Sequence, residues 1–148
     1  VVDGDGLAAL EDAERAGLPP STVLTPHDGE YRRLCGHQPA PDRLGAAREL
    51  ATATGGVVLL KGSTTVVAGS RGPALLAAAG DARLATAGTG DVLSGIVGAL
   101  LAAGLDPPVA AAAAAHVHGR AAALGWPRGL VAGDLPELLP AVLEQLGG

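Results

Sequence analysis

The sequence predicts a layered α/β fold, mostly parallel at first, with a hairpin inserted. Three observations predict it. Val57-Val58-Leu59-Leu60 is a wholly apolar run bounded by turn residues, the pattern of a strand buried on both faces. Strand-like and helix-like segments alternate before a final run of three helices. The 148-residue chain is 48% apolar, yet Tyr31 and Trp126 are its only aromatic residues. Ala, Val, Leu and Gly must therefore fill the core, which favours close packing of helix on sheet.

Taken in order, Val1-Val2 reads as the end of a buried strand that runs into a helix through Asp3-Gly4-Asp5-Gly6. Leu7, Leu10 and the alanines carry that helix to Gly17, and Leu18-Pro19-Pro20 closes it. Asp5 suits the helix cap, whereas Asp3 sits just beyond a strand's carboxyl end, where α/β folds place ligands. The chain opens inside a strand and without Met, so it reads as a piece of something longer. Thr22 to Thr25 form a short strand that Pro26 ends. His27-Asp28-Gly29-Glu30 then opens a helix from Tyr31 to about Cys35. His27 is placed to donate a hydrogen bond to a substrate or to polarise it, and an ordinary surface histidine fits the sequence equally well.

Asp42 caps the next helix, which runs through Arg48, Leu50 and Ala53 and stops at Gly55-Gly56. Lys61-Gly62-Ser63-Thr64-Thr65 follows the buried strand. A point charge beside glycine and three hydroxyls suits polyphosphate binding; a plain hairpin turn with a solvated lysine is the competing reading. Val66-Val67-Ala68 and Ala74 to Ala78 are two further strands. Thr86-Ala87-Gly88-Thr89-Gly90 is a small, flexible turn, and at Asp91 a helix begins. Val92, Leu93, Ile96, Val97, Leu100 and Leu101 fall on one stripe of it. A helix start leaves backbone N–H groups unpaired and carries partial positive charge, and glycines let an anion approach closely. Gly88, Thr89, Gly90 and Asp91 thus look like a pocket for phosphate. A carboxylate repels phosphate, so Asp91 makes sense there as the acceptor of a proton from an attacking hydroxyl. Asp is also a common helix cap, and spacing alone leaves both roles open.

Pro107 starts an alanine-rich helix that reaches about Leu124. His116 and His118 lie two apart on it, roughly 200° around, and cannot share a metal; they read as core or interface histidines. Gly133-Asp134 caps a last helix through Leu135, Leu138, Leu139, Val142 and Leu143. Four ligand-like turns, 3–6, 26–30, 61–65 and 86–91, stand at strand ends or a helix start, and that shared position predicts one site.

Composition narrows the function classes. The net charge of −5 with no basic run argues against nucleic acid. No apolar run reaches the roughly 18 residues of a membrane span. Cys35 stands alone, which excludes an internal disulfide and suits a reducing, cytoplasmic compartment; it reads as a small buried hydrophobe.

The motifs resemble the carboxy-terminal half of the ADP/ATP-dependent NAD(P)H-hydrate dehydratases, within the ribokinase-like superfamily. Leu24-Thr25-Pro26-His27-Asp28-Gly29-Glu30 resembles the family's T-P-H-P-G-E turn, with Asp28 in place of proline. Leu60-Lys61-Gly62-Ser63-Thr64-Thr65 resembles its L-K-G-x-x-T nucleotide segment. The stretch Leu84 to Gly95, containing Gly88-Thr89-Gly90-Asp91, resembles A-T-x-G-T-G-D-V-L-[ST]-G. Val2 to Leu7 resembles D-A-D-A-L with both alanines changed to glycine, and His118-Gly119 a helical H-G.

The resemblance implies a ribokinase-like layered α/β/α fold, present here as an incomplete domain over residues 1–148. It implies a repair reaction in which the hydroxyl of a hydrated nicotinamide ring, NADHX or NADPHX, is phosphorylated by ADP or ATP and phosphate is then lost. Asp91 would activate the hydroxyl, and His27 and Asp3 would help to bind the hydrate. Lys61, Gly62, Ser63, Thr64 and Thr65 would hold the nucleotide, with the Gly88, Thr89 and Gly90 amides steadying phosphoryl charge and Mg2+ screening the phosphates. Family members commonly form homo-oligomers. A small-molecule kinase of the same fold, for a vitamin precursor or sugar, and an inactive truncated fragment are the alternatives.

Overall fold

A computed structural model of the chain describes residues 1–10 and 15–147. Its centre is a four-stranded sheet in the spatial order β1 (Val23–Leu24), β2 (Val57–Leu60), β3 (Thr65–Ala68) and β4 (Leu75–Ala77). β1 and β2 are parallel, and β3 and β4 follow antiparallel, with Val23 opposite Val57, Leu59 opposite Val67 and Val66 opposite Leu76. The parallel start and the inserted hairpin agree with the expectation. Val2 makes a single parallel bridge to Leu24, which brings Asp3 to the carboxyl end of the sheet.

Alternation along the strands sorts the core into two layers. Leu24, Val58, Leu60, Val66 and Ala68 pack with Leu7 of α1 (Gly4–Ala9), Tyr31 and Leu34 of α2 (Asp28–Cys35), and Ala47 and Leu50 of α3 (Arg43–Thr54). Val23, Val57, Leu59 and Val67 pack with Leu93 and Val97 of α4 (Thr89–Ala102) and with Ala111, Ala114 and Ala115 of α5 (Pro107–Leu124). A third cluster joins α5 to α6 (Asp134–Gly147) through Val117, Ala121, Leu135 and Val142. Each fully buried Leu or Val is worth roughly 1.5–3 kcal/mol, so the sheet and its small-residue helices carry most of the stability. Close packing has a visible cost in residue choice: a Cβ on Gly119 would lie 2.1 Å from the carbonyl oxygen of Ala79. Only glycine lets α5 pass the end of β4.

Several boundaries differ from the expectations. The strand expected over 22–25 shortens to two residues, although Thr22 still accepts from Val57 N–H and Thr25 N–H still donates to Val2. α2 begins at Asp28, because His27 already forms its cap. α1 ends at Ala9, and Leu10 is extended; the expected continuation over 11–14 lies outside the described residues. Its cap position is held by Asp3 and not by Asp5, and the Asp3 carboxylate makes no capping bond because it is engaged elsewhere. A 3-10 turn over Ala82–Ala85 precedes α4, and α6 continues past Leu143 to Gly147.

Candidate active site

Three of the four expected turns, 26–30, 61–65 and 86–91, contribute to one cavity of about 650 Å3, within the range of small-ligand sites, and the 3–6 turn does not line it. One side is polar: His27, Asp28 and Gly29 from the first turn, Lys61, Gly62, Ser63 and Thr65 from the second, and Asp81. The other is a slot of small apolar groups, Ala77, Leu84, Ala85, Leu93 and Ala115, with His118 among them. Thr89 and Gly90, the first two residues of α4, also line it.

α4 begins without a side-chain cap. Gly88 occupies the cap position at φ +86°, a left-handed conformation that favours glycine, and no side chain bonds to the first-turn amides. Asp91 is the third residue of the helix and not its cap. The Thr89 hydroxyl turns back to the carbonyls of Leu84 and Thr86, at 2.6 and 2.8 Å, and pins the turn. The Thr89 amide also turns back, to the Thr86 carbonyl at 3.4 Å, so the amide of Gly90 is the first that the helix leaves at the cavity. Early amides of a helix have no intrahelical partner, so the mouth of α4 is a receptor for negative charge.

Lys61 stands at that mouth. A methyl group built on Gly90 would lie 3.5 Å from Lys61 Nζ and 3.4 Å from Asp3 Oδ2. The ammonium donates to Asp3 Oδ1 at 2.9 Å and lies 3.5 Å from Glu30 Oε2. Ser94, one turn along α4, donates to the other Asp3 oxygen at 2.9 Å. Burial alone would raise the Asp3 pKa; the bonds from Lys61, Thr25 and Ser94 outweigh it and hold the carboxyl below its usual value. Lys61 is thus an anchored cation, 21% exposed, and not a solvated turn lysine.

His27 is built into the start of α2. Its Nδ1 accepts from the amides of Gly29 and Glu30 at 2.9 and 3.2 Å, and Glu30 accepts from the His27 amide at 2.8 Å. This reciprocal capping box places the ring proton on Nε2, in a side chain that is 56% exposed at the cavity edge. Asp28, where the family turn has proline, pairs with Arg43 at 2.9 Å.

Of the residues expected at the site, His27, Lys61, Gly62, Ser63, Thr65, Thr89 and Gly90 line the cavity, whereas Asp3, Thr64, Gly88 and Asp91 do not. Asp3 stands behind Lys61 as its partner. Asp91 is exposed at the first turn of α4 and makes no ion pair among the described residues. Glu30, Ser94, Asp81 and His118 were not expected as site residues. Glu30 had a signal, since an acid three residues after a cap marks a capping box. His118 is almost fully buried, and burial, followed by the charge of Lys61, pushes its pKa down against a pull from the Thr89 backbone.

A half-parallel sheet between two helix layers, with a bare helix start and a lysine at its carboxyl edge, defines a ribokinase-like fold. Solved structures agree: a ribokinase-like superfamily protein from Enterococcus faecalis superposes with a TM-score of 0.78 at 24% identity, over 97% of this chain and 51% of that one. The profile of the NAD(P)H-hydrate dehydratase family matches residues 1–143, and the chain belongs to that family. It is 57% identical over 114 residues to the bifunctional NAD(P)H-hydrate repair enzyme of Mycobacterium tuberculosis, covering 76% of this chain and 24% of that protein. It superposes with a TM-score of 0.77, at 35% identity, on the ADP/ATP-dependent NAD(P)H-hydrate dehydratase of Bacillus subtilis co-crystallized with ATP/Mg2+, covering 83% of this chain and 47% of that one. The chain therefore spans about a quarter of the first protein and about half of the second.

The residues present fit Mg2+ only in one way. Among the described residues no three His, Cys, Asp or Glu side chains converge on a metal position. Asp81 is held by Arg83 at 2.6 Å, and Asp28 by Arg43. Both carboxylates that line the cavity are thus paired, which suits an ion carried mainly by nucleotide phosphates and its own waters. No helix among the described residues is long and apolar enough to cross a membrane.

Proposed function

We propose that the intact protein restores damaged nicotinamide cofactor: it transfers a phosphoryl group from ADP or ATP to the hydroxyl of NADHX or NADPHX and then eliminates phosphate. The observation that carries this is the meeting of Lys61 with the uncapped start of α4 at Gly90, inside a nucleotide-sized cavity, with Asp91 next in sequence but outside the cavity lining. Lys61 and the Gly90 amide can hold phosphate there, and Asp91, one residue on, can take a proton at the same helix start. The nucleotide's phosphates lie against Lys61, the 62–65 turn and the Gly90 amide, and its base fills the alanine-rich slot. The hydrate approaches past His27 at the cavity edge, and its hydroxyl loses a proton to the Asp91 carboxylate at the first turn of α4. The hydroxyl oxygen bonds to the terminal phosphorus, the bridging P–O bond breaks, and AMP or ADP departs. Loss of a ring proton with the phosphate ester then regenerates the ring double bond. Bound Mg2+ would screen the phosphates. Homo-oligomeric assembly and cytoplasmic residence belong to the same proposal.

The test is a product assay on the intact protein with NADHX and ADP or ATP. Reduced nicotinamide absorbance should return in step with released inorganic phosphate. A stable phosphate ester would show a small-molecule kinase instead. Asp91→Asn should lower kcat by about 10²–10⁴-fold while AMP binding is retained; unchanged turnover would remove Asp91 from the proton transfer.

A further inference from the structure

Arg43, the first residue of α3, touches both turns that build the polar side of the cavity. Its Nη2 donates to the carbonyl oxygen of Lys61 at 2.7 Å and lies 2.9 Å from Asp28 Oδ1. We infer that Arg43 is a positioning residue: its guanidinium fixes the 26–30 turn against the 61–65 turn, so that a group held by one is placed relative to a group held by the other.

Three features support this. First, the guanidinium is closely fitted. A Cβ on Gly62 would lie 2.9 Å from Nη2, so a side chain there would push the guanidinium from its place and glycine leaves it room. Second, the Arg43 Nε is buried without a hydrogen-bond partner among the described residues. A buried donor left unpaired is costly, so the side chain is held in place by its two contacts at Nη2. Third, the other ties between the turns both run through Lys61, whose Nζ lies 3.5 Å from Glu30 Oε2 and whose backbone closes the bases of the turns. Lys61 N–H donates to the Pro26 carbonyl at 2.8 Å, where the parallel strands end. That bond aligns the strand ends and leaves Asp28 and Gly62, further along, to be fixed by Arg43. Asp28 at the first position of α2 is favourable beside a helix start in any case, so helix formation does not require Arg43.

The positioning stands on geometry alone; its effect on turnover rests on the proposed reaction. Hydrogen exchange of the ligand-free intact protein separates the two. Arg43→Met should speed amide exchange about 10-fold in both the 26–30 and 61–65 segments. Asp28→Asn should speed it about 2–3-fold, in the 26–30 segment only. Arg43→Lys, which keeps the charge but ends in a compact ammonium on a shorter stem and not in the planar guanidinium, should fall between wild type and Arg43→Met. Kinetically, Arg43→Met should raise KM for nucleotide and for hydrate together, by more than it lowers kcat. An Arg43→Met protein that melts as wild type and exchanges faster in one turn or neither would overturn the inference, as would a rise in KM for one substrate alone. If Arg43→Met does not fold, unchanged exchange of 26–30 in Asp28→Asn would overturn it equally. Faster exchange of both turns in a protein that binds no ADP or ATP would sustain the positioning and sink the proposed reaction.

Discussion

Two helices start at the same cavity, and they start in opposite ways. α2 is closed by its own side chains: His27 and Glu30 satisfy each other's backbone amides, and the imidazole is locked by its Nδ1. α4 is left open, with a left-handed glycine at the cap and no side chain on its first-turn amides. Both ends carry partial positive charge. One has consumed it internally and presents a donor on a ring; the other presents the amides themselves. A closed start serves to aim a side chain, and an open one serves to receive an anion. Lys61 stands where both can be used, within 3.5 Å of Glu30 of α2 and at the Gly90 face of α4.

The largest change to this arrangement should come from Lys61→Met. It would leave Asp3 and Glu30, 15% and 9% exposed, without the cation between them. Breaking a buried pair in this way costs several kcal/mol, and partial solvation and protonation soften it to about 2–3 kcal/mol here. Denaturant midpoints measure the loss, and it should be greater at pH 7 than at pH 4, where Asp3, with its burial no longer offset by Lys61, takes up a proton. Equal losses at both would mean that Lys61 stabilises by packing alone. The two helix starts can then be separated by a pair of substitutions. Gly88→Ala puts a side chain at φ +86° and within 3.1 Å of Ala132 Cβ, costing about 1–2 kcal/mol and raising the nucleotide KM. His27→Ala removes a cap worth about 1 kcal/mol and should raise the hydrate KM instead. If both substitutions moved the same KM, the division of labour between α2 and α4 would be wrong.

What local sequence can show about this site follows from the range of each interaction. Val57–Leu60 was legible because four apolar residues between turns have few other uses. The ends of α3 were legible because Asp42 and Gly55 act on amides and carbonyls within a turn: Asp42 accepts from Gly45, and Gly55 takes a left-handed cap. The turns at 26–30, 61–65 and 86–91 were legible as turns, and their strand-end position placed them together. Partners were not legible. Asp3 meets Lys61 58 residues away and Ser94 91 residues away, and no local pattern encodes such pairings. For the same reason, the ion pair of Asp28 with Arg43 is visible only in three dimensions. Strand lengths failed for another reason: Thr22 and Thr25 carry strand-like side chains and backbone bonds, yet the ladder around them is too short to extend β1.

The smallest expected effect concerns the floor of the open helix start. His118 lies buried on α5 near Thr89 and within the field of Lys61. Burial first, and the lysine charge second, lower its pKa below the ordinary 6.5, so the folded protein keeps it neutral where the unfolded chain takes up a proton. Above pH 6.5 both states are neutral there, and the contribution to stability is fully present. As pH falls through 6.5 the unfolded chain binds the extra proton, and stability declines until the folded imidazole also titrates. The slope from one such group cannot exceed about 1.4 kcal/mol per pH unit. His37 acts in the opposite direction, since the Gln38 carbonyl and then Glu49 raise its pKa, but it is exposed and contributes little. Asp3, with its carboxyl lowered, responds only below the ordinary carboxylate value of 3.8, outside this window. The difference between wild type and His118→Gln, compared at pH 7.5 and 5.5 by denaturant unfolding, therefore isolates His118. Wild type should lose more stability than the variant on acidification. An equal loss would mean that the imidazole is solvated, and that the open start of α4 rests on a wetter floor than its packing indicates.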